Sequence, residues 1–251
     1  MRSPVELTLA RLALRQVTAS RRSLWALPLA ALPLLVSLLS RTQARGPEAQ
    51  LATFVGTYEN LIVPVLLPLV ALVVGTGVFG NEVDDGTITY VLGKPIARWR
   101  IVLTRIVVSG LAAAAVVAPA TLAAGLVANA GAGAGAGRIV GAFTLATVAG
   151  ALLYAALFVA LSLGTRRSLV AGLAYVVVWE GALSGSLAGI RALSVRQYTL
   201  AFAEGLARAP AEVFSARLEA ATAAWLAAAV AVLATLYAVR RLRGFEIGEA
   251  G

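Results

Sequence analysis

The sequence predicts an all-α polytopic membrane protein: six transmembrane helices with both termini on the cytoplasmic side. Apolar residues make up 60% of the 251-residue chain and its mean hydropathy is +0.87, well above what a water-facing surface tolerates. Those residues are gathered into six runs, at 23–40, 57–79, 101–128, 139–163, 168–188 and 220–239. Each is close to the roughly 20 residues needed to cross a bilayer's hydrocarbon core. The third observation, the placement of arginine, sets the orientation.

With the amino terminus inside, the inner segments carry Arg2, Arg11, Arg15, Arg21, Arg22, Lys94, Arg98, Arg100, Arg105, Arg166, Arg167, Arg240, Arg241 and Arg243. The outer segments carry Arg41, Arg45, Arg138, Arg191, Arg196, Arg208 and Arg217. That is fourteen against seven, and four of the outer seven share one long loop, where the positive-inside rule is weak. The net charge of +9 is thereby accounted for by anionic headgroups, without nucleic acid. The spans and their connections use nearly the whole chain, so a single membrane domain is expected over 1–251. Cysteine and histidine are both absent. Within this chain that excludes disulfides, the usual zinc sites, haem ligation and histidine-based triads.

Along the chain, residues 1–22 read as an amphipathic helix on the inner leaflet. Leu7, Ala10, Leu14 and Val17 share one face and Arg11, Arg15 and Arg22 another. The first apolar run is expected to be retained as a span. Thr42-Gln43-Ala44 loosely resembles a signal cleavage site, but a long basic segment precedes the run and the run exceeds a signal's apolar core of about 7–15 residues. In the second run, Pro64 and Pro68 are expected to bend the helix, with Glu59 and Asn60 interfacial at its outer end.

The inner loop 80–100 reads as a short capped helix. Asp84 and Asp85 suit a helix start, and Ile88, Val91 and Leu92 make an apolar stripe. Gly93 and Pro95 stop it, and Arg98 and Arg100 anchor the next span at the headgroups. Such a helix suits docking into a cytoplasmic partner; an interfacial connector has the same periodicity.

Two strings here carry a resemblance. Glu82-x-x-x-Gly86-Thr87-x-x-x-x-Leu92-x-x-Pro95-x-x-Arg98 is similar to the signature of ABC-2-type exporter permeases, closest to the branch described as copper-enzyme maturation or general ABC-2 permeases. Trp179-Glu180-Gly181, followed by Gly189-Ile190-Arg191-x-Leu193-Ser194-x-Arg196-Gln197-Tyr198, resembles a second stretch of that family. The likeness extends over the chain, because six spans and an inner elbow are the family's plan. It implies a coupling helix in the 80–100 loop that contacts a separate ABC ATPase subunit. Glu82, Gly86, Thr87, Lys94, Pro95 and Arg98, with the capping pair Asp84 and Asp85, would make or support that contact. A second permease copy, identical or paralogous, would complete the transporter in the plasma or inner membrane. A P-loop needs Gly-x-x-x-x-Gly-Lys-[Ser/Thr], whereas the single lysine, Lys94, precedes Pro95. No cofactor is therefore expected on this chain, with ATP and Mg on the partner, and the chain is expected to be non-catalytic.

Glu180 lies well inside the fifth run, where an ionised carboxylate costs roughly 2.5–3.5 kcal/mol on insertion scales. It is either a pathway or gating residue or a carboxylate bonded to neighbouring helices. Gly181, Ser184, Gly185 and Ser186 after it allow close helix approach. In the outer segment 189–217, Ser194 is placed to cap a helix whose stripe is Val195, Tyr198, Phe202 and Leu206, closed by Pro210. That helix would lie at, or re-enter, the outer leaflet. The resemblance implies that it caps the pathway, with Tyr198 and Phe202 as gating residues. The alternating Ala-Gly run at 130–137 reads as a flexible outer linker.

Two other functions fit the sequence less well. An ion- or proton-coupled secondary transporter would normally show ionisable residues in several spans and internal repeats, and only Glu180 qualifies. For an intramembrane enzyme, the lack of histidine and cysteine removes most metal and nucleophile–base sites, and no span holds paired carboxylates. The apolar spans fit a lipid, a hydrophobic drug or a peptide as substrate.

Overall fold

The structure, a computed structural model, describes residues 26–43, 46–84, 97–130, 134–165, 167–183 and 192–244. Helices and short connections account for all of these, with no strand among the described residues. The reason is solvation: hydrocarbon offers no partner to a peptide group, and a helix satisfies its own. Helix α1 is Ala26–Gln43. Helix α2, Pro47–Thr57, runs through a π-helical stretch, Tyr58–Leu66, into α3, Leu67–Asp84. Helices α4, Arg98–Ala128, and α5, Ala134–Gly164, form an antiparallel pair. Helix α6, Ser168–Ala174, continues as a second π-helical stretch, Tyr175–Leu183. Helices α7, Val195–Ala207, and α8, Ala220–Gly244, complete the described chain.

Among the described residues, four stretches are long and apolar enough to cross a membrane: Pro47–Gly77, Arg98–Ala128, Gly135–Gly164 and Ala220–Gly244. They coincide with the second, third, fourth and sixth expected spans. At the first and fifth stand shorter apolar helices, Pro28–Thr42 and Ser168–Ala182. The second span begins ten residues before the apolar run that predicted it. Gly46, at φ 97°, turns the chain, and Pro47 occupies the first helical position, where its missing N–H is no loss. The Ala-Gly linker is also corrected, since helix α5 already begins at Ala134 and includes Gly135 and Gly137. Glycine costs a helix about 1 kcal/mol relative to alanine, but the alternating alanines and the apolar continuation carry the helix through. The basic segment 1–22 lies outside the described residues.

The π-helical winding at Tyr58–Leu66 contains Pro64. Proline cannot donate to an α-helical bond and its ring crowds the carbonyl of residue i−4; a wider turn accommodates both.

Helix α5 is the centre of the bundle, packed on α3, α4, α7 and α8. The end of the bundle where α4 finishes and α5 begins is held by aromatic stacking. Phe143 of α5 lies 4.2 Å from Tyr58 and 5.7 Å from Phe54, centroid to centroid, and Phe214 meets it edge-on at 4.9 Å. The Tyr58 hydroxyl donates to the Phe143 carbonyl at 3.1 Å. At the opposite end a second cluster joins Ile101 and Val102 of α4, Leu163 of α5 and Ala238 and Leu242 of α8. Arg98, Arg100 and Arg105 at the start of α4 and Arg240, Arg241 and Arg243 at the end of α8 are therefore brought to one end. There Arg241 donates to the Gly164 carbonyl at 3.1 Å.

The buried hydroxyls of Thr76, Thr121, Thr147 and Thr199 are satisfied locally. Each donates to the carbonyl four residues earlier, so threonine here adds no orphan polar group.

Candidate functional site

The second π-helical stretch places two side chains that an α-helix would separate. Bonds between residues five apart bring Tyr175 beside Glu180, and the Tyr175 hydroxyl donates to Glu180 Oε1 at 2.9 Å. The Val195 amide donates to the same oxygen at 2.9 Å, with the Arg196 amide farther off at 3.5 Å. The Ser194 hydroxyl donates to Oε2. Glu180 is 1% exposed.

These donors explain how a carboxylate is tolerated at this depth. Val195 and Arg196 open helix α7, and Ser194 is its cap, accepting from the Gln197 amide at 3.3 Å. The first amides of a helix lack intrahelical partners and carry the positive end of its dipole. Glu180 supplies acceptor and countercharge together, and charge-assisted bonds are roughly twice as strong as neutral ones. Trp179 adds a bond from its indole N–H to the Leu193 carbonyl at 3.3 Å. The end of the fifth apolar helix is thus tied to the start of α7 across the 184–191 segment.

Helix α7 is set into the bundle. At one end Arg138, near the start of α5, donates to the Arg208 carbonyl at 3.2 Å. At the other, Thr199 packs on Gly150, the midpoint of α5: a Cβ at Gly150 would stand 2.5 Å from Thr199 Oγ1 and 2.9 Å from Leu67 Cδ2. Helix α7 therefore runs beside the first half of α5, with its buried start toward the middle of α5 and its exposed end at Arg208 beside the start of α5. Arg208 closes it in the left-handed region, φ 47°, two residues before Pro210.

Beside α7 lies a polar cavity of about 250 Å³, lined by Glu59, Asn60, Arg196, Gln197 and Leu200, with Ser215, Ala216 and Arg217 at its rim. Arg196 donates to the Glu59 carbonyl at 3.1 Å, and the Glu59 carboxylate is within Coulombic reach of Arg196 and Arg217. Arg196 Nε and Gln197 Oε1 are buried without a hydrogen-bond partner among the described residues.

The residues singled out from sequence divide as follows. Ser194 caps α7 as expected. Of the expected stripe, Val195 and Tyr198 are buried, Phe202 is half-buried and Leu206 is 49% exposed. The difference arises because α7 has neighbours on more than one side, α5 and α8, which also bury Gln197, Thr199, Ala201, Ala203 and Ala207. Tyr198 donates its hydroxyl to the Ala192 carbonyl. Tyr198 and Phe202 are not among the residues lining the polar cavity.

Glu82 and Asp84 belong to the end of helix α3, and Arg98 is the first residue of α4. Asp84 is thus the last described residue of a helix continuous with the second span, where the sequence had suggested the start of a new one. Asp85, Gly86, Thr87, Lys94 and Pro95 lie outside the described residues. Sequence reasoning missed the pairing of Tyr175 with Glu180 and the meeting of Glu59, Arg196 and Arg217. The first depends on π winding, which no residue pattern announced; the second joins residues 137 positions apart.

The family model described as "ABC-2 family transporter protein" matches residues 10–239 of the 251. No curated protein matches the chain.

Proposed function

Given that the chain belongs to the ABC-2 transporter family, and is thus a multi-pass permease component of an ABC transporter, we propose that it spans the membrane six times with both termini cytoplasmic and serves an ATP-driven exporter. The observation that carries this reading is the arginine-bearing end of the bundle. Arg98, Arg100 and Arg105 gather there with the basic end of α8, beside the helix ends that flank the 85–96 segment. An end rich in arginine favours the cytoplasmic side, where an ATPase docks. The shorter helices Pro28–Thr42 and Ser168–Ala182 count as spans one and five, the fifth being completed across the bilayer by α7.

On this reading Glu82, Asp84, Asp85, Gly86, Thr87, Lys94, Pro95 and Arg98 make or support contact with a separate ABC ATPase subunit, which carries the ATP and Mg. The permease pairs with a second copy, identical or paralogous. Helix α8 is the most open of the long helices, with Trp225 80% exposed and Leu233 65%, and offers an apolar face to lipid or to that copy. Tyr198 and Phe202 act through α7, which shapes the pathway from the outer side. The cargo is a lipid, a hydrophobic drug or a peptide. An ion-coupled mechanism worked by Glu180 has less support, because its carboxylate is enclosed and engaged by Tyr175, Ser194 and Val195.

The test is co-purification with a separate ABC ATPase subunit, expected in equal stoichiometry, with no ATP hydrolysis by the permease alone. Hydrolysis by the pure chain, with contaminants excluded, would end the proposal.

A further inference from the structure

We propose that the cavity between Glu59, Arg196, Gln197 and Arg217 is a binding site for a zwitterion that carries a primary ammonium and a phosphate group, as in an ethanolamine phospholipid headgroup. Its walls present both charges. The Glu59 carboxylate stands on the second span, and the Arg196 and Arg217 guanidinium groups come from α7 and the loop before α8.

The hydrogen-bonding capacity of the walls is left over in both senses. Arg196 spends one N–H on the Glu59 carbonyl and keeps a buried Nε–H without a partner among the described residues. Gln197 is 4% exposed, and its Oε1 has no donor among them. Buried polar groups are normally satisfied, because an exception gives up its bonds to water and gains none in return. Here a donor and an acceptor on adjacent residues are both unpaired at one cavity. A half-turn of the Gln197 carboxamide exchanges its oxygen and nitrogen without breaking a bond to Oε1, so the group can present either face to a ligand.

A simple anion would use the guanidinium groups and leave Glu59 repelled. A simple cation would do the reverse. A group with an anion at one end and N–H donors at the other satisfies all four side chains. Phosphate accepts from the two arginines, as their planar forks favour, and ammonium donates to Glu59 and to Gln197 Oε1. Choline, whose nitrogen carries no hydrogen, cannot make the second set. At about 250 Å³ the cavity is smaller than the roughly 300–1,000 Å³ of pockets for drug-sized ligands. It fits a headgroup, with any acyl chains left outside. The inference rests on the cavity alone and does not depend on an ATPase partner or on the direction of transport.

The experiment is a binding titration followed by native mass spectrometry on the full chain in detergent. The probes are dioleoyl phosphatidylethanolamine, phosphatidylcholine and phosphatidylglycerol, with free phosphoethanolamine as competitor. The ethanolamine lipid is expected to bind about tenfold more tightly than the other two, the size of one charge-assisted hydrogen bond lost. Glu59→Gln should bring it down to the choline level. Arg217→Ala, at the exposed rim where folding is not at stake, should weaken all three lipids. Competition by free phosphoethanolamine would show that soluble zwitterions also enter; its failure would restrict the site to lipid, and either outcome supports the zwitterion. Equal binding of the three lipids, preference for phosphatidylglycerol, or indifference to both substitutions would overturn the proposal.

Discussion

Two carboxylates of this protein, Glu180 and Glu59, have opposite surroundings. Glu180 is sealed, with Tyr175, Ser194 and the Val195 amide turned toward it. Glu59 borders a cavity in which an arginine nitrogen and a glutamine oxygen have no partner among the described residues. The first arrangement is complete without a ligand, so its work is architectural: it holds helix α7 against the end of the fifth apolar helix. The second is incomplete as it stands, so its work is recognition. A carboxylate in an apolar run is therefore a pointer to function only after its donors have been counted.

The largest expected effect tests the sealed side. Glu180→Ala removes the acceptor for three buried donors, and each donor left unsatisfied costs about 1–3 kcal/mol. The variant should give little folded protein, read as yield and melting temperature in detergent. Glu180→Gln keeps one acceptor oxygen but turns an amide N–H₂ toward other donors, so a smaller loss of about 1–3 kcal/mol is expected. Normal stability with altered transport in Glu180→Gln would reverse the contrast and return this residue to the pathway.

Next comes the seat of α7. Gly150→Leu would force a side chain into the space taken by Thr199 and Leu67, and overpacking costs about 1–3 kcal/mol. Melting temperature should fall and transport should fall with it. A variant as stable as the parent would mean that α7 does not depend on this close approach.

The third effect concerns coupling, not folding. Pro95→Ala, or bulky residues at Gly86 and Thr87, should lower ATPase capture and stimulated turnover while melting is unchanged, because the spans are held by their own packing. Arg98→Glu should be worse than Arg98→Ala, since it sets a negative charge at the inner headgroup surface. Normal capture and transport in these variants would make the loop a connector only. The smallest effect belongs to the open side. Arg217→Ala should shift stability by no more than about 0.5 kcal/mol while losing headgroup binding. A large loss of stability would place Arg217 with the architecture and weaken the contrast.

Much of the bundle was legible because its causes are local. Length and apolarity located the helices, and Ser194 before an amphipathic stretch announced the start of α7. Helix ends were less legible. Pro47 starts a helix well before the chain turns apolar, and the alanines of the 134–137 segment carry α5 through two glycines. Both ends were decided by turn geometry and helix propensity, to which a count of apolar residues is blind.

By itself, then, the sequence determined that this is a helical membrane protein, with arginine crowded toward one end and neither histidine nor cysteine. It also marked Glu180 as costly and as needing partners. Which partners those are was decided only by the tertiary structure, as was the meeting of Glu59 with Arg196 and Arg217. Helices follow from hydrogen bonds within a few residues and from burial in lipid. A site joining residues 137 positions apart follows from how those helices pack, and packing depends on close approaches such as Gly150 against Thr199 that no local pattern encodes.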